Sequence, residues 1–554
     1  MEISQELYEI RSQLLTIIAE KIDEGIGKYI TKHKSDIRYF LHYPLVNIEL
    51  GLDFEPAENI ENGMMRDVFG FLIFKTYSLW NDMEYKNKVI TKGFVSYCSK
   101  SNDTLQSIWH DYLTLMEIKY GNSYAKSRIE KIGEKKYKLT TSLITHKYKE
   151  EDFYFYGAYN SLQQENEKNF ILANTIRFYH KYFPRMQDVS KLLNEVDHEL
   201  LAYCIDRVMV DLSKLHSKTK SSIFSSIDEL ANVLSFLYYI AFVKNMKRKM
   251  YKMIDNDLCM IDDCIIQLPK AWIIDKIANL YQIKETKVNT IISYFTNKGT
   301  PYILEFPLFE HKNMIITIPS FIMINDWTFT VPNGHYVKNI DFKKREKTLS
   351  VSTEVKLEKA LKNVGNVLFC KEKYYECFNE NQQKINSDID FAIFDYSKNI
   401  LFVIESKWKD NHYYCGSEKN HPKIQDTLNK IFKEQIEKHR IFLSNPQNIL
   451  NLFNNDYKVN LQQGKIEIYY IAIDKRNQLH LNGNHMITEY MLLYFIEKHI
   501  VNNELDLHSL INTIEQMYTR TEYISIDPTL EISLGNGNVM QIDEADLSLK
   551  YKFS

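Results

Sequence analysis

The stretch ILFVIESKWKD at 400–410 runs through five apolar residues, Ile400 to Ile404, and then sets down Glu405, Ser406 and Lys407. So apolar a run is the pattern of a strand covered on both faces. Side chains alternate along a strand, so Glu405 and Lys407 share one face. Upstream, DIDFAIFDY at 388–396 also has strand character, and the DYSKN between the two has the length and polarity of a hairpin turn. That hairpin brings Asp390, near the start of one arm, close to Glu405, near the end of the other. Two carboxylates and one ammonium around a point suit a hard divalent cation, Mg²⁺ or Mn²⁺, with carbonyl and water oxygens completing its shell. A lysine beside a metal-bound water can orient it, help deprotonate it, or offset charge building on a phosphate. This is equipment for hydrolysing a phosphodiester. The plainer alternative is an ion pair between Glu405 and Lys407 at a strand end, with Asp388 and Asp390 capping a turn. Asp388 also competes with Asp390 as the ligand.

The elements that must position these residues follow one another from 354 onward. A helix (EVKLEKALKNV) precedes three strands (NVLFCKEKYY, DIDFAIFDY and NILFVIESKWK). A long helix over about 421–443, a strand (KIEIYYIAID) and a helix (ITEYMLLYFIEKHI) complete the order. This order, with Asp390, fourteen intervening residues and then Glu405-Ser406-Lys407, resembles the PD-(D/E)XK nuclease superfamily and its restriction-endonuclease-like core. Ile389 stands where that family has a proline, at a position that varies widely within it.

The resemblance covers residues 350–500. It implies a C-terminal α/β core with a central mixed sheet flanked by helices, acting as a Mg²⁺- or Mn²⁺-dependent endonuclease. It assigns Asp390 and Glu405 as metal ligands, the backbone carbonyl of Ser406 as a further ligand, and Lys407 as the group acting on the attacking water. Many members also carry a glutamate on the first core helix, where Glu358 fits, one turn from Glu354. Some use a glutamine on the helix after the core strands, a place occupied here by Gln435, with His439 one turn on. Each of these helix residues also fits a plain solvated position.

At 554 residues the chain is long enough for about two to four domains. Over 1–260 the apolar residues recur mostly at helical spacing, as in Ile3, Leu7, Ile10, Leu14 and Ile18. This predicts a largely α-helical region that senses a trigger, binds a partner protein or recognises substrate. Within it KNMKRKMYK at 244–252 places five positive charges behind an apolar helix, read as a solvated helix end rather than a phosphate-binding patch. Residues 261–336 give two short helices and then strand-like segments, an arrangement that resembles a winged helix. Thr286, Lys287 and Asn289 would then begin the helix that enters a DNA groove. The turn between those helices lacks the usual glycine. The polar stretch at 337–354 is the expected boundary, and 501–554 form a C-terminal extension. The expected fold class is therefore multidomain.

With 69 basic and 72 acidic residues and a formal charge of -3, the chain as a whole is no polyanion binder, so nucleic-acid contact must come from local patches. Seven scattered cysteines without a CxxC pair predict reduced thiols in a cytoplasmic protein and exclude a zinc finger. The acidic start MEISQELYEIRSQLL reads as an amphipathic helix and not a signal peptide. VLSFLYYIAFV at 233–243 is about half the length that spans a bilayer, so no membrane role is expected. No GxxxxGK[ST] loop is present, which argues against built-in NTP-driven translocation.

The expectation is a DNA endonuclease of restriction or anti-phage defence, with a homodimer compatible with cutting both strands. RNA as substrate, a repair nuclease, a DNA-binding regulator with an inactive nuclease-like fold, and a helical scaffold are the alternatives left open.

Overall fold

The computed structural model describes residues 5–51, 69–85, 108, 127–141, 165–213, 215, 221–254, 261–342, 345–406, 430–457, 465–474, 479–481, 484–519 and 529–543. Lys407, and with it the start of the long helix expected from 421, lies outside them.

Helix α1 (Gln5–His33) buries Ile10, Leu14, Ile18, Ile22, Ile26 and Tyr29, a stripe at three- and four-residue steps that only a helix can present to one neighbour. Helix α2 (His42–Gly51) follows after a short turn. The helical expectation for 1–260 fails over 127–141, where β1 (Ser127–Lys131) pairs antiparallel with β2 (Lys136–Thr141). Tyr137 and Leu139 are buried while Lys136 is exposed, so the local period is two and not 3.6.

Helices α3 (Glu165–Tyr182), α4 (His198–Leu212) and α5 (Ile227–Ile254) build a second apolar core. Helix α5 is buried all round from Val233 to Val243, which explains VLSFLYYIAFV as the centre of a bundle. Among the described residues no helix is long and apolar enough to cross a membrane. The basic run at the end of α5 is not the solvated helix end expected from its charge. Arg248 is buried, with Nη1 2.6 Å from Glu49 Oε1 on α2, and Glu49 Oε2 accepts the N–H of Ser320 at 2.9 Å. Lys247 meets Asp263 at 3.2 Å, and Lys244 donates to the Asp262 carbonyl at 2.7 Å.

A small antiparallel sheet of order β3-β5-β4 comes next, from β3 (Ile266–Pro269), β4 (Phe309–His311) and β5 (Met314–Thr317). Between β3 and β4 lie α6 (Lys270–Tyr281) and α7 (Glu285–Phe295). The turn between these helices needs no glycine because Gln282 takes the left-handed conformation, φ 54°, at the end of α6. Thr286, Asn289 and Thr290 are exposed on α7, whereas Lys287 lies 3.8 Å from Glu229. Helix α8 (Trp327–Val337) is capped by Asp326, whose carboxylate accepts the N–H of Phe329.

The C-terminal region is a mixed α/β arrangement. Helix α9 (Arg345–Leu361) leads into β6 (Val367–Phe378), β7 (Lys384–Asp395) and β8 (Ile400–Ser406), an antiparallel meander. At the β7–β8 turn, the hairpin turn expected at DYSKN, Asp395 Oδ1 accepts the N–H groups of Ser397 and Lys398, and Asn399 has φ 54°. A π-helical turn over Ile431–Ile436 runs into α10 (Glu437–Leu443) and α11 (Pro446–Tyr457). Strand β9 (Glu467–Asp474) returns parallel to β8, and β10 (Leu479–Leu481) and β11 (Asn484–Thr488) complete a six-stranded sheet of order β10-β11-β9-β8-β7-β6.

Every residue of β8 is buried, as a strand covered on both faces requires. On one face Phe391, Ile393, Phe402 and Ile404 join a core with Leu357 and Leu361 of α9 and with Leu492 and Ile496 of α12 (Glu489–Lys498). On the other, Ala392, Phe394, Leu401 and Val403 pack with Phe442, Leu443, Ile449 and Phe453 of α10 and α11. Beyond α13 (Leu507–Thr519), a hairpin of Thr529–Ser533 and Val539–Asp543 returns to the N-terminal half. The second of these strands pairs parallel to β2. Lys356 of α9 ties the sheet to the helical region, with Nζ 2.6 Å from Glu489 of α12 and 3.7 Å from the capping Asp326.

Two stability predictions follow from the buried polar groups. Arg248→Met leaves Glu49 buried without its cation and should cost about 3–5 kcal/mol, whereas the double change Arg248→Met with Glu49→Leu should recover most of it. Chemical denaturation of the three proteins is the check. His42 and His335 are both held at about 4, chiefly because burial disfavours the imidazolium, with Arg38 opposing charge on His42 and Lys338 on His335. Between pH 6.5 and 4 the unfolded chain therefore binds protons that the fold refuses, so their contribution is present above pH 6.5 and lost toward pH 4. The denaturation midpoint should fall across that window, and less steeply in His42→Gln.

Candidate functional site

The last paired residues of the β7–β8 ladder are Phe391 and Ile404. One step further, the same register sets Asp390 opposite Glu405. Strand β7 continues upstream, paired with β6 as far as Lys384 and Phe378, so Asp390 sits in mid-strand where its neighbour β8 stops. The expectation that it lies near the start of its arm is corrected by that longer first hairpin. The β6–β7 ladder is itself interrupted here. Lys371 pairs with Phe391 and Lys373 with Ile389, while Glu372, at φ 45°, and Asp390 form no ladder pair with each other. Such irregularities re-aim side chains at strand ends. The Asp390 carboxylate replaces the missing ladder contact, its Oδ2 accepting the N–H of Ser406 at 2.8 Å.

Glu405 is 1 % exposed, and its Oε1 lies 2.5 Å from Nε2 of His439 on α10. His439 is fully buried, and its Nδ1 is 2.7 Å from the Tyr375 hydroxyl on β6. The Tyr375 ring stacks on Phe442 of α10, with centroids 4.0 Å apart and planes 14° from parallel. Burial pushes the Tyr375 phenol well above its ordinary pKa, so it remains protonated at neutral pH. The π turn before α10 changes the helical phase; Ile436 at its end and His439, Phe442 and Leu443 beyond it are all buried.

Asp390, Glu405 and Ser406 are therefore brought together. The Ser406 hydroxyl is buried with no hydrogen-bond partner among the described residues. Asp388 is exposed on β7 opposite Tyr374 of β6, which places it farther along the hairpin from the end of β8 than Asp390. Neither aspartate caps a turn, because both lie within β7. Glu358 packs on α9, the helix on the opposite face of the sheet from His439, and forms an ion pair with Lys371, both partners partly exposed. Gln435 is half-buried on the π turn, four residues before His439. His439 is not the solvated helix residue that its neighbours Lys438 and Arg440 suggest. Tyr375 carries no sequence signal: the left-handed Glu372 shifts the alternation, so that Cys370 and Tyr375, five residues apart, pack into the same core.

The donor set suits a hard cation. Two carboxylates from facing strand positions, both beside Ser406, offer oxygen and no thiolate, which fits Mg²⁺ or Mn²⁺ rather than Zn²⁺. Among the described residues no group of three His, Cys, Asp or Glu side chains converges. A cation here would thus be held by Asp390, Glu405 and a main-chain oxygen such as that of Ser406, with water completing its shell, as Mg²⁺ accepts.

The hydrogen bond from Ser406 separates structural from chemical roles at Asp390. Asp390→Ala strands that buried N–H and should cost about 1–3 kcal/mol, while Asp390→Asn retains an acceptor and should denature near the parental midpoint. Hydrogen exchange at the Ser406 amide should quicken in the alanine variant alone.

No protein-family model, no curated protein and no solved structure matches this chain.

Proposed function

We propose that this chain is a Mg²⁺- or Mn²⁺-dependent nuclease that hydrolyses DNA phosphodiesters, with its C-terminal region a restriction-endonuclease-like core of the PD-(D/E)XK type. The observation that carries this reading is the meeting of Asp390 with the end of β8, its carboxylate on the Ser406 N–H and its register position opposite Glu405. Two further features support it. The order of helix, antiparallel meander, helix and parallel strand is the one the resemblance implies. Glu405 is also anchored on one oxygen by His439, a use of a buried carboxylate that an ordinary strand-end ion pair does not require.

In this reading Asp390 and Glu405 hold the cation, and the Ser406 carbonyl adds an oxygen. When bound, the cation would acidify water and offset the charge gathering on the phosphate. Lys407 would orient the attacking water and steady the phosphate oxygens. Water adds to phosphorus as the bond to the 3′ oxygen breaks, the 3′ oxygen takes up a proton, and a 5′-phosphate remains. Glu358, on the opposite face of the sheet and paired with Lys371, has no part in this set, and Gln435 would fix water or phosphate from the π turn. The helix pair α6–α7 with the β4–β5 hairpin, which resembles a winged helix, would offer the exposed Thr286 and Asn289 to a duplex. A role in restriction or anti-phage defence in the cytoplasm, with the helical half sensing a trigger or a partner, completes the proposal. A homodimer would supply the second cut.

The test incubates purified protein with plasmid, linear duplex, single-stranded DNA and RNA, with Mg²⁺, Mn²⁺ or chelator. DNA scission that needs the metal, falls about 10²–10⁴-fold in Lys407→Ala and is lost in Glu405→Gln is the expected result. Scission that survives chelator or both substitutions contradicts the reading. Metal-dependent cutting of RNA alone would move the substrate and keep the chemistry.

A further inference from the structure

Tyr375, His439 and Glu405 form a buried, hydrogen-bonded chain that runs from β6 through α10 to β8. His439 Nε2 lies 2.5 Å from Glu405 Oε1, where an N–H on that nitrogen donates to the carboxylate. On the other side of the ring, Nδ1 lies 2.7 Å from the Tyr375 hydroxyl, a group that can donate or accept. The chain is also mechanically braced. The Tyr375 ring is pinned against Phe442, one turn along α10 from His439, and β7 lies between the two strands that the chain connects.

We propose that Tyr375 and His439 are positioning residues for Glu405, holding its carboxylate through one oxygen in a fixed orientation for a divalent cation. The inference rests on the nuclease reading and adds to it the means by which that site is set. A glutamate side chain has three rotatable bonds, and a ligand that must find its rotamer on each encounter loses affinity to ordering. Hydrogen bonds to the non-ligating part of a metal ligand commonly hold it in place, and their loss weakens metal binding about 10–100-fold. The chain crosses from one strand to another through α10, so the seating of that helix on the sheet and the orientation of Glu405 are one event. Neither residue is proposed to touch the substrate.

The test uses the full chain in a Lys407→Ala background, which removes a cation that would compete for the carboxylates, and reads Mn²⁺ affinity by electron paramagnetic resonance. His439→Leu should weaken Mn²⁺ binding about 10–100-fold. Tyr375→Phe, which removes one oxygen and keeps the ring stack, should weaken it by a smaller factor. His439→Gln, whose amide nitrogen can occupy the place of Nε2, should recover most of the affinity. Circular dichroism confirms that each variant is folded. Should His439→Leu fail to fold, Tyr375→Phe carries the test, with the ring ¹⁵N resonances of labelled His439 expected to shift on loss of the Tyr375 hydroxyl. Parental Mn²⁺ affinity in folded Tyr375→Phe and His439→Leu would overturn the positioning role and leave the nuclease reading intact. If the parent background itself binds no Mn²⁺, the nuclease reading fails and the positioning role falls with it.

Discussion

The burial of a carboxylate at the end of a strand covered on both faces is the constraint on which the C-terminal region depends. An ionised side chain in such a place is costly unless hydrogen bonds replace the water it has lost. Glu405 meets that requirement through His439, and His439 in turn requires an acceptor–donor match with Tyr375. The π turn, the seating of α10 and the interrupted β6–β7 ladder are the local geometry that lets these three side chains meet. Asp390 belongs to the same solution: it takes the N–H that β8 exposes where the ladder ends.

The sheet is not an independent body hung on the helical half. Lys356, 6 % exposed, is shared between Glu489 of the core and Asp326, which caps α8. Helix α9 carries both Lys356 and Glu358, so it cannot shift against α8 without leaving a buried charge poorly paired. At the other end, Val539–Asp543 pairs with β2, closing the chain back on its N-terminal half. The apolar side chains of α1 and those of the α9 face of the sheet form one continuous cluster, which joins the two halves through packing as well as charge.

Much of the site was legible because it is local. The buried run of β8, the hairpin turn at DYSKN and each helix or strand from 354 onward are local features, on the scale at which period and turn chemistry act. The register that opposes Asp390 to Glu405 follows from that turn. What was not legible depends on distant pairings or on one backbone angle. The hairpin at 127–141 reads as part of a helical region until its partner strand some four hundred residues away is known. Arg248 looks solvated from its basic neighbours and is buried because Glu49 lies across from it. Tyr375 is hidden by the positive φ at Glu372, which no residue type there announces.

The central claim is that a divalent cation binds where β8 ends against Asp390, and locating the cation tests it most directly. Fe²⁺ exchanged into the protein and treated with ascorbate and peroxide cuts the polypeptide within a few ångströms of the metal, and mass spectrometry reads the cut positions. Cuts clustered at 388–392 and 404–407, suppressed by excess Mg²⁺, are the predicted result. Cuts confined to other parts of the chain, or none above the chelator control, would contradict it.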